Sequence, residues 1–97
     1  MKINLNLILL KISADSRIYN SHSVLIIALL SVYQQENYKM PFQISRKKLM
    51  KVTKLSSVAT YHKCIRELVN LGYILYEPSY HPLKGSEVYL TAQLMES

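Results

Sequence analysis

The sequence predicts a mainly α fold closed by a small antiparallel β-hairpin, an α+β domain formed by residues 1–97 as one unit. Three observations predict it. Apolar residues recur on a 3.6-residue period through residues 58–71. An aliphatic run, Val24–Leu30, is apolar around the whole circumference of a helix. Two alternating runs, Tyr73–Glu77 and Glu87–Thr91, flank a stretch of proline, glycine and serine. By organisation the chain divides into an N-terminal segment (1–20), a helical core (21–71), a hairpin (72–91) and a tail (92–97).

In chain order, Leu5–Ile12 reads as a first short helix, although the alternation of asparagine with apolar residues over Ile3–Leu7 also permits a strand. Asn20 or Ser21 is placed to cap the next helix, Ser21–Glu36. Because that helix is apolar all round, it belongs at the centre of the core. One side faces the helices that follow. The other needs cover from the N-terminal segment or from a second copy of the chain, so a homodimer through Val24–Leu30 or the N-terminal segment is a candidate assembly. Glu36–Pro41 is a polar connector, and Phe42–Ile44 alternates as one short strand.

Ser45 is suited to cap a helix over Arg46–Val52, its hydroxyl accepting a free N–H of the first turn. Thr53–Leu55 leaves room only for a tight turn, so the following helix should cross closely, with Ser56 or Ser57 as its cap. Tyr61, Cys64, Ile65, Leu68 and Leu71 form the buried stripe of that helix. Gly72 supplies the left-handed residue that ends it. Residues 45–71 thus have a helix-turn-helix layout. Pro78 stops the first alternating run, Ser79–Ser86 reads as the hairpin loop, and Ala92–Ser97 as a short tail with no evident role.

Composition narrows the function classes. About half of the residues are apolar and 19% are charged, a globular balance. A net charge of +6 and a pI near 9.5 point to a polyanionic partner, nucleic acid or an anionic membrane surface. From Lys39 to Arg66 the cations are Lys39, Arg46, Lys47, Lys48, Lys51, Lys54, Lys63 and Arg66, with no acidic residue among them. A charge run alone is more often a solvated face; here it coincides with the helix-turn-helix layout. The one cysteine, Cys64, excludes a disulfide framework and reads as a small core hydrophobe. Asparagines and Lys11 break up the apolar start of the chain as a signal peptide, and the longest apolar run falls far short of the ~20 residues of a membrane span. No membrane association and a cytoplasmic location are the expectation.

The order helix, strand, helix, turn, helix, strand, hairpin loop, strand resembles the winged helix-turn-helix superfamily over Ser21–Thr91. The residues that carry the resemblance are Ile44–Met50, Thr60–Ile65, Glu67-Leu68, and Leu71-Gly72-Tyr73-Ile74, with Pro78-Ser79-Tyr80 and Lys84-Gly85-Ser86 in the hairpin. The chain resembles small winged-helix proteins of bacterial mobile elements, and more loosely winged-helix domains of plasmid and phage replication proteins. The Leu-Gly-Tyr-Ile ending identifies a fold rather than a target; the hairpin stretch is the narrower signal. The resemblance implies double-stranded DNA binding, with the second helix in the major groove and the hairpin, the wing, on flanking backbone or minor groove.

On that placement Ser57, Thr60 and Lys63 read bases or clamp adjacent phosphates, with His62 and Arg66 at the edge of the face. Arg46, Lys47 and Lys48 neutralise phosphates, and Lys84 brings a cation to the wing tip, where His81 and Tyr80 are also candidates. Glu87 disagrees unless it points away. The function expected is that of a small transcriptional regulator or an accessory factor of a mobile element. A winged-helix protein-interaction module is the alternative, and cations on the recognition face speak against it. A membrane-surface role lacks a basic amphipathic helix with a bulky exposed apolar face. Enzymatic chemistry is not expected: the histidines have no ligand spacing, no glycine-rich phosphate loop is present, and the arginines are too few to surround a tyrosine nucleophile. No cofactor or metal is expected either. Tyrosines among lysines also suit single-strand stacking, but strand periodicity accounts for most of them.

Overall fold

The computed structural model describes residues 3–79 and 85–96. Asn4 opens the fold, its Oδ1 accepting the Leu7 N–H at 3.1 Å to cap α1 (Leu5–Ala14). The ambiguity at Ile3–Leu7 is thus resolved toward helix. The second helix, α2 (Asn20–Gln35), is capped by neither Asn20 nor Ser21, as the sequence suggested, but begins from Tyr19. His22, on its first turn, reaches back so that Nδ1 accepts the Tyr19 N–H at 3.0 Å. That is the reciprocal half of a capping box, built here with a buried imidazole.

After β1 (Phe42–Ile44), Ser45 Oγ accepts the Lys48 N–H at 3.3 Å and starts α3 (Arg46–Thr53). Lys54, at φ 63°, turns the chain left-handed and ends it. Ser57 rather than Ser56 then caps α4 (Val58–Asn70), its Oγ accepting the Thr60 N–H at 3.3 Å. Gly72, at φ 86°, closes α4. Its N–H donates to Val69 O and the Tyr73 N–H to Leu68 O, both at 3.0 Å. The two bonds satisfy the last helical carbonyls as a Schellman motif, and the chain leaves directly into β2 (Ile74–Glu77).

Both pairings of the sheet are antiparallel, and β3 (Ser86–Leu90) lies between β1 and β2. Ile74 faces Leu90, Tyr76 faces Val88, and Phe42 faces Val88 from the other side. Because side chains alternate along a strand, Phe42, Ile44, Ile74, Val88 and Leu90 all enter the core. Gln43, Leu75, Glu77, Glu87 and Tyr89 share the opposite face. Glu87 therefore points away from the helices, and it sits directly across from Glu77.

The core is centred on α2. Leu25, Ile26, Leu29, Leu30 and Tyr33 are buried, and α3, α4 and β1 pack against this helix. A close crossing of α3 by α4 is the expectation; α3 instead packs chiefly against α2, and α4 packs against β2 and α2. Ile8 and Ile12 bring α1 into the same core. The tail is not idle. Thr91 caps a last short helix, α5 (Ala92–Met95), whose Leu94 is fully buried. Lys11 of α1 donates to the carbonyls of Gln93, Leu94 and Glu96. Four residues are too few to show a helical period, so the sequence hides this element. Among the described residues no helix is long and apolar enough to cross a membrane.

Candidate functional site

α4 separates its two faces sharply. Tyr61, Cys64, Ile65 and Leu68 are buried, whereas Ser57, Thr60, His62, Lys63 and Arg66 are all exposed. Ser57, Thr60 and Lys63 recur every third residue and so project from one side of the helix. Ser57 serves the helix first, because its oxygen accepts the Thr60 N–H; its own hydroxyl proton stays available to an outside acceptor. His62 leans on the neighbouring ring of Tyr61, with centroids 5.3 Å apart, at the margin of this face.

The other cations predicted for the site divide between two surroundings. Arg46, Lys47 and Lys48 occupy the first turn of α3 and are exposed. Burial pushes the Tyr61 phenol up to about 12; the nearby Tyr76 phenol adds to the rise, and the positive charge of Arg46 opposes it. Lys48 instead lines grooves between α3 and α2, in which no residue of α4 takes part. Lys84, His81 and Tyr80, assigned to the hairpin tip from the sequence, lie outside the described residues. Tyr61 is buried and holds its proton firmly, which suits a core phenol and not an exposed nucleophile.

Two long-range ties fix α4 in position, and sequence spacing could show neither. His22 Nε2 meets Glu67 Oε1 at 2.9 Å, joining α2 to α4. Tyr73, just beyond α4, donates its hydroxyl to Asp15 Oδ2 at 2.6 Å. Asp15 is also bound by the Arg17 guanidinium, and these two partners, Arg17 foremost, hold its carboxyl well below the usual carboxylate range. Glu67, the one carboxylate of α4, lies one turn beyond Lys63 on the same side of the helix, and its Oε1 is engaged by His22 of α2.

His22, Cys64 and Glu67 also form a group of metal-ligating type, with donor atoms all within 4.8 Å of one another. The hydrogen bonds decide against that use. Since Nδ1 accepts the Tyr19 N–H, the imidazole proton is on Nε2, where it donates to Glu67. A metal on Nε2 would force that proton onto Nδ1, against a backbone donor. His22 caps α2 and, with Glu67, ties it to α4.

Comparison with protein-family models, with curated proteins and with solved structures gives no match. Function must therefore be argued from the residues of this chain.

Proposed function

We propose that this chain binds double-stranded DNA through α4, as a winged helix in which the β2–β3 hairpin is the wing. The element order α2, β1, α3, α4, β2, β3 and the strand order β1-β3-β2 support the likeness to that superfamily. The observation that carries the proposal is the outward face of α4. Ser57, Thr60 and Lys63 stand exposed along one side, and the helix's one carboxylate, Glu67, one turn beyond Lys63, is engaged by His22. Small, hydrogen-bonding and cationic groups suit a helix lying in a groove walled by phosphates. Arg46 and Lys47, at the start of α3, neutralise the backbone beside it. Glu77 and Glu87, the acidic pair of the hairpin, occupy the sheet face turned away from the helices, so they do not meet DNA seated on α4.

The setting inferred from the resemblance is a small cytoplasmic regulator, or an accessory factor acting on mobile-element DNA, with binding and no catalytic step. The test divides the roles. After selection of duplexes from a random pool, Lys63→Ala should lose about 1–3 kcal/mol on the selected sequence and little on random duplex. Arg46→Ala with Lys47→Ala should weaken both duplexes alike and lower the salt slope by about 2. Equal loss of specificity in the two variants contradicts this division, and failure to enrich any sequence contradicts sequence-specific binding.

A further inference from the structure

α2 and α3 leave an apolar groove that solvent alone does not account for. Val24, Ile27, Ala28, Val32, Leu49 and Val52 line it, around a volume of about 570 Å³. Val52 is 65% exposed, Ile27 47% and Val24 40%, three branched aliphatics side by side in contact with water. Lys48 and Lys51 stand on the α3 side, and no carboxylate lines the groove. No residue of α4 lines it either, so it is separate from the face proposed for DNA.

We infer that this groove docks an acidic amphipathic helix of a partner protein. Length and charge argue for that occupant. Val24, Ala28 and Val32 lie at i, i+4 and i+8 along α2, a rise of about 12 Å, which matches a helix seating apolar anchors at i, i+4 and i+7. Lys48 and Lys51 select glutamates or aspartates on the flank of that helix, and they repel a basic one. A second copy of this chain, itself at +6, brings no matching acidic helix: among its described helices, α2 carries no acidic residue and α4 only the Glu67 tied to His22. The inference does not rest on the DNA reading, because the two surfaces share no residue except Lys48. Combined with DNA binding by α4, it describes a domain that recruits an acidic partner to the duplex.

The test uses the full chain and a fluorescent peptide of about four helical turns, with leucines at i, i+4 and i+7 and glutamates on its flanks. A peptide of the same pattern with lysines and a scrambled acidic peptide serve as comparisons. The acidic helix should bind saturably, one per chain, and the other two should not. Val52→Asp and Lys51→Glu, both at exposed positions, should keep their circular dichroism and each weaken the peptide about tenfold or more. The parent chain should sediment as a monomer.

Several results would overturn the inference: no saturation of the acidic peptide, equal binding by the scrambled peptide, or binding that both variants leave unchanged. The last result, with displacement of the peptide by duplex DNA, would mean simple mimicry of phosphate on the α4 face. A parent dimer abolished by Val52→Asp would give the groove to a second copy. Failure of duplex binding with the peptide still seated on the groove would sink the DNA reading alone.

Discussion

α2 and α4 are both packed into one core, yet their outward faces obey different rules. On α4 the exposed positions from Thr60 to Arg66 are polar or charged, and Val58, on its first turn, is its one exposed large aliphatic. On α2 the exposed face includes Val24 and Ile27, which water does not favour. The contrast is informative because a polar outward face is what any surface helix shows, whereas adjacent exposed aliphatics are a departure. α4 is the better candidate for DNA because of which polar groups it bears, and α2 with α3 the better candidate for a protein contact.

The largest effect should come from the faces the two helices have in common. Leu29 of α2 and Leu68 of α4 are both fully buried, so Leu29→Ala and Leu68→Ala should each cost about 2–5 kcal/mol in urea unfolding. Substitutions on the outward faces, Thr60→Ala and Ile27→Gln, should stay within about 0.5 kcal/mol. A large loss at Ile27 would mean that α2 is covered after all, and the comparison would fail. Next in size is the end of α4. Gly72→Ala forces a side chain into φ 86° and against the Gln93 amide, and should cost about 1–2 kcal/mol by the same measurement.

The tie beyond α4 sharpens the comparison through pH. Asp15 has its carboxyl depressed, first by Arg17 and then by Tyr73, so the folded state favours the ionised form. Its contribution is present in full above the ordinary carboxylate range, near 4, and is lost as pH falls through the lower folded value. Acid unfolding of Asp15→Asn should therefore show a shallower loss of stability below about pH 4 than the parent. Identical acid limbs would mean the Tyr73–Asp15 contact adds nothing to holding α4.

Much of this fold could be read from the chain because local signals agreed with one another. Ser45 and Gly72 act where their chemistry predicts, and Tyr61, Cys64, Ile65 and Leu68 follow the helical period into the core, while Leu71, the last of the predicted stripe, is only half-buried at the C-cap. What escaped was either short or long-range. α5 offers one buried residue, Leu94, and no period. The cap of α2 comes from a histidine acting backwards, not from the nearby Asn20 or Ser21. The His22–Glu67 and Tyr73–Asp15 ties, and the docking of β1 on β3, join residues whose separation in sequence encodes nothing about their contact. Of the candidate site, the exposure of Ser57, Thr60, His62, Lys63 and Arg66 was legible from periodicity. The groove was not, because Val24–Leu30 announces an apolar surplus without saying that α3 would leave part of it open.

DNA binding by α4 is tested most directly by fluorescence anisotropy of a labelled random-sequence duplex across a salt series. Micromolar affinity at low salt, falling steeply as several phosphate contacts release their counterions, is the predicted result. No binding at low salt, or binding indifferent to salt, would contradict it.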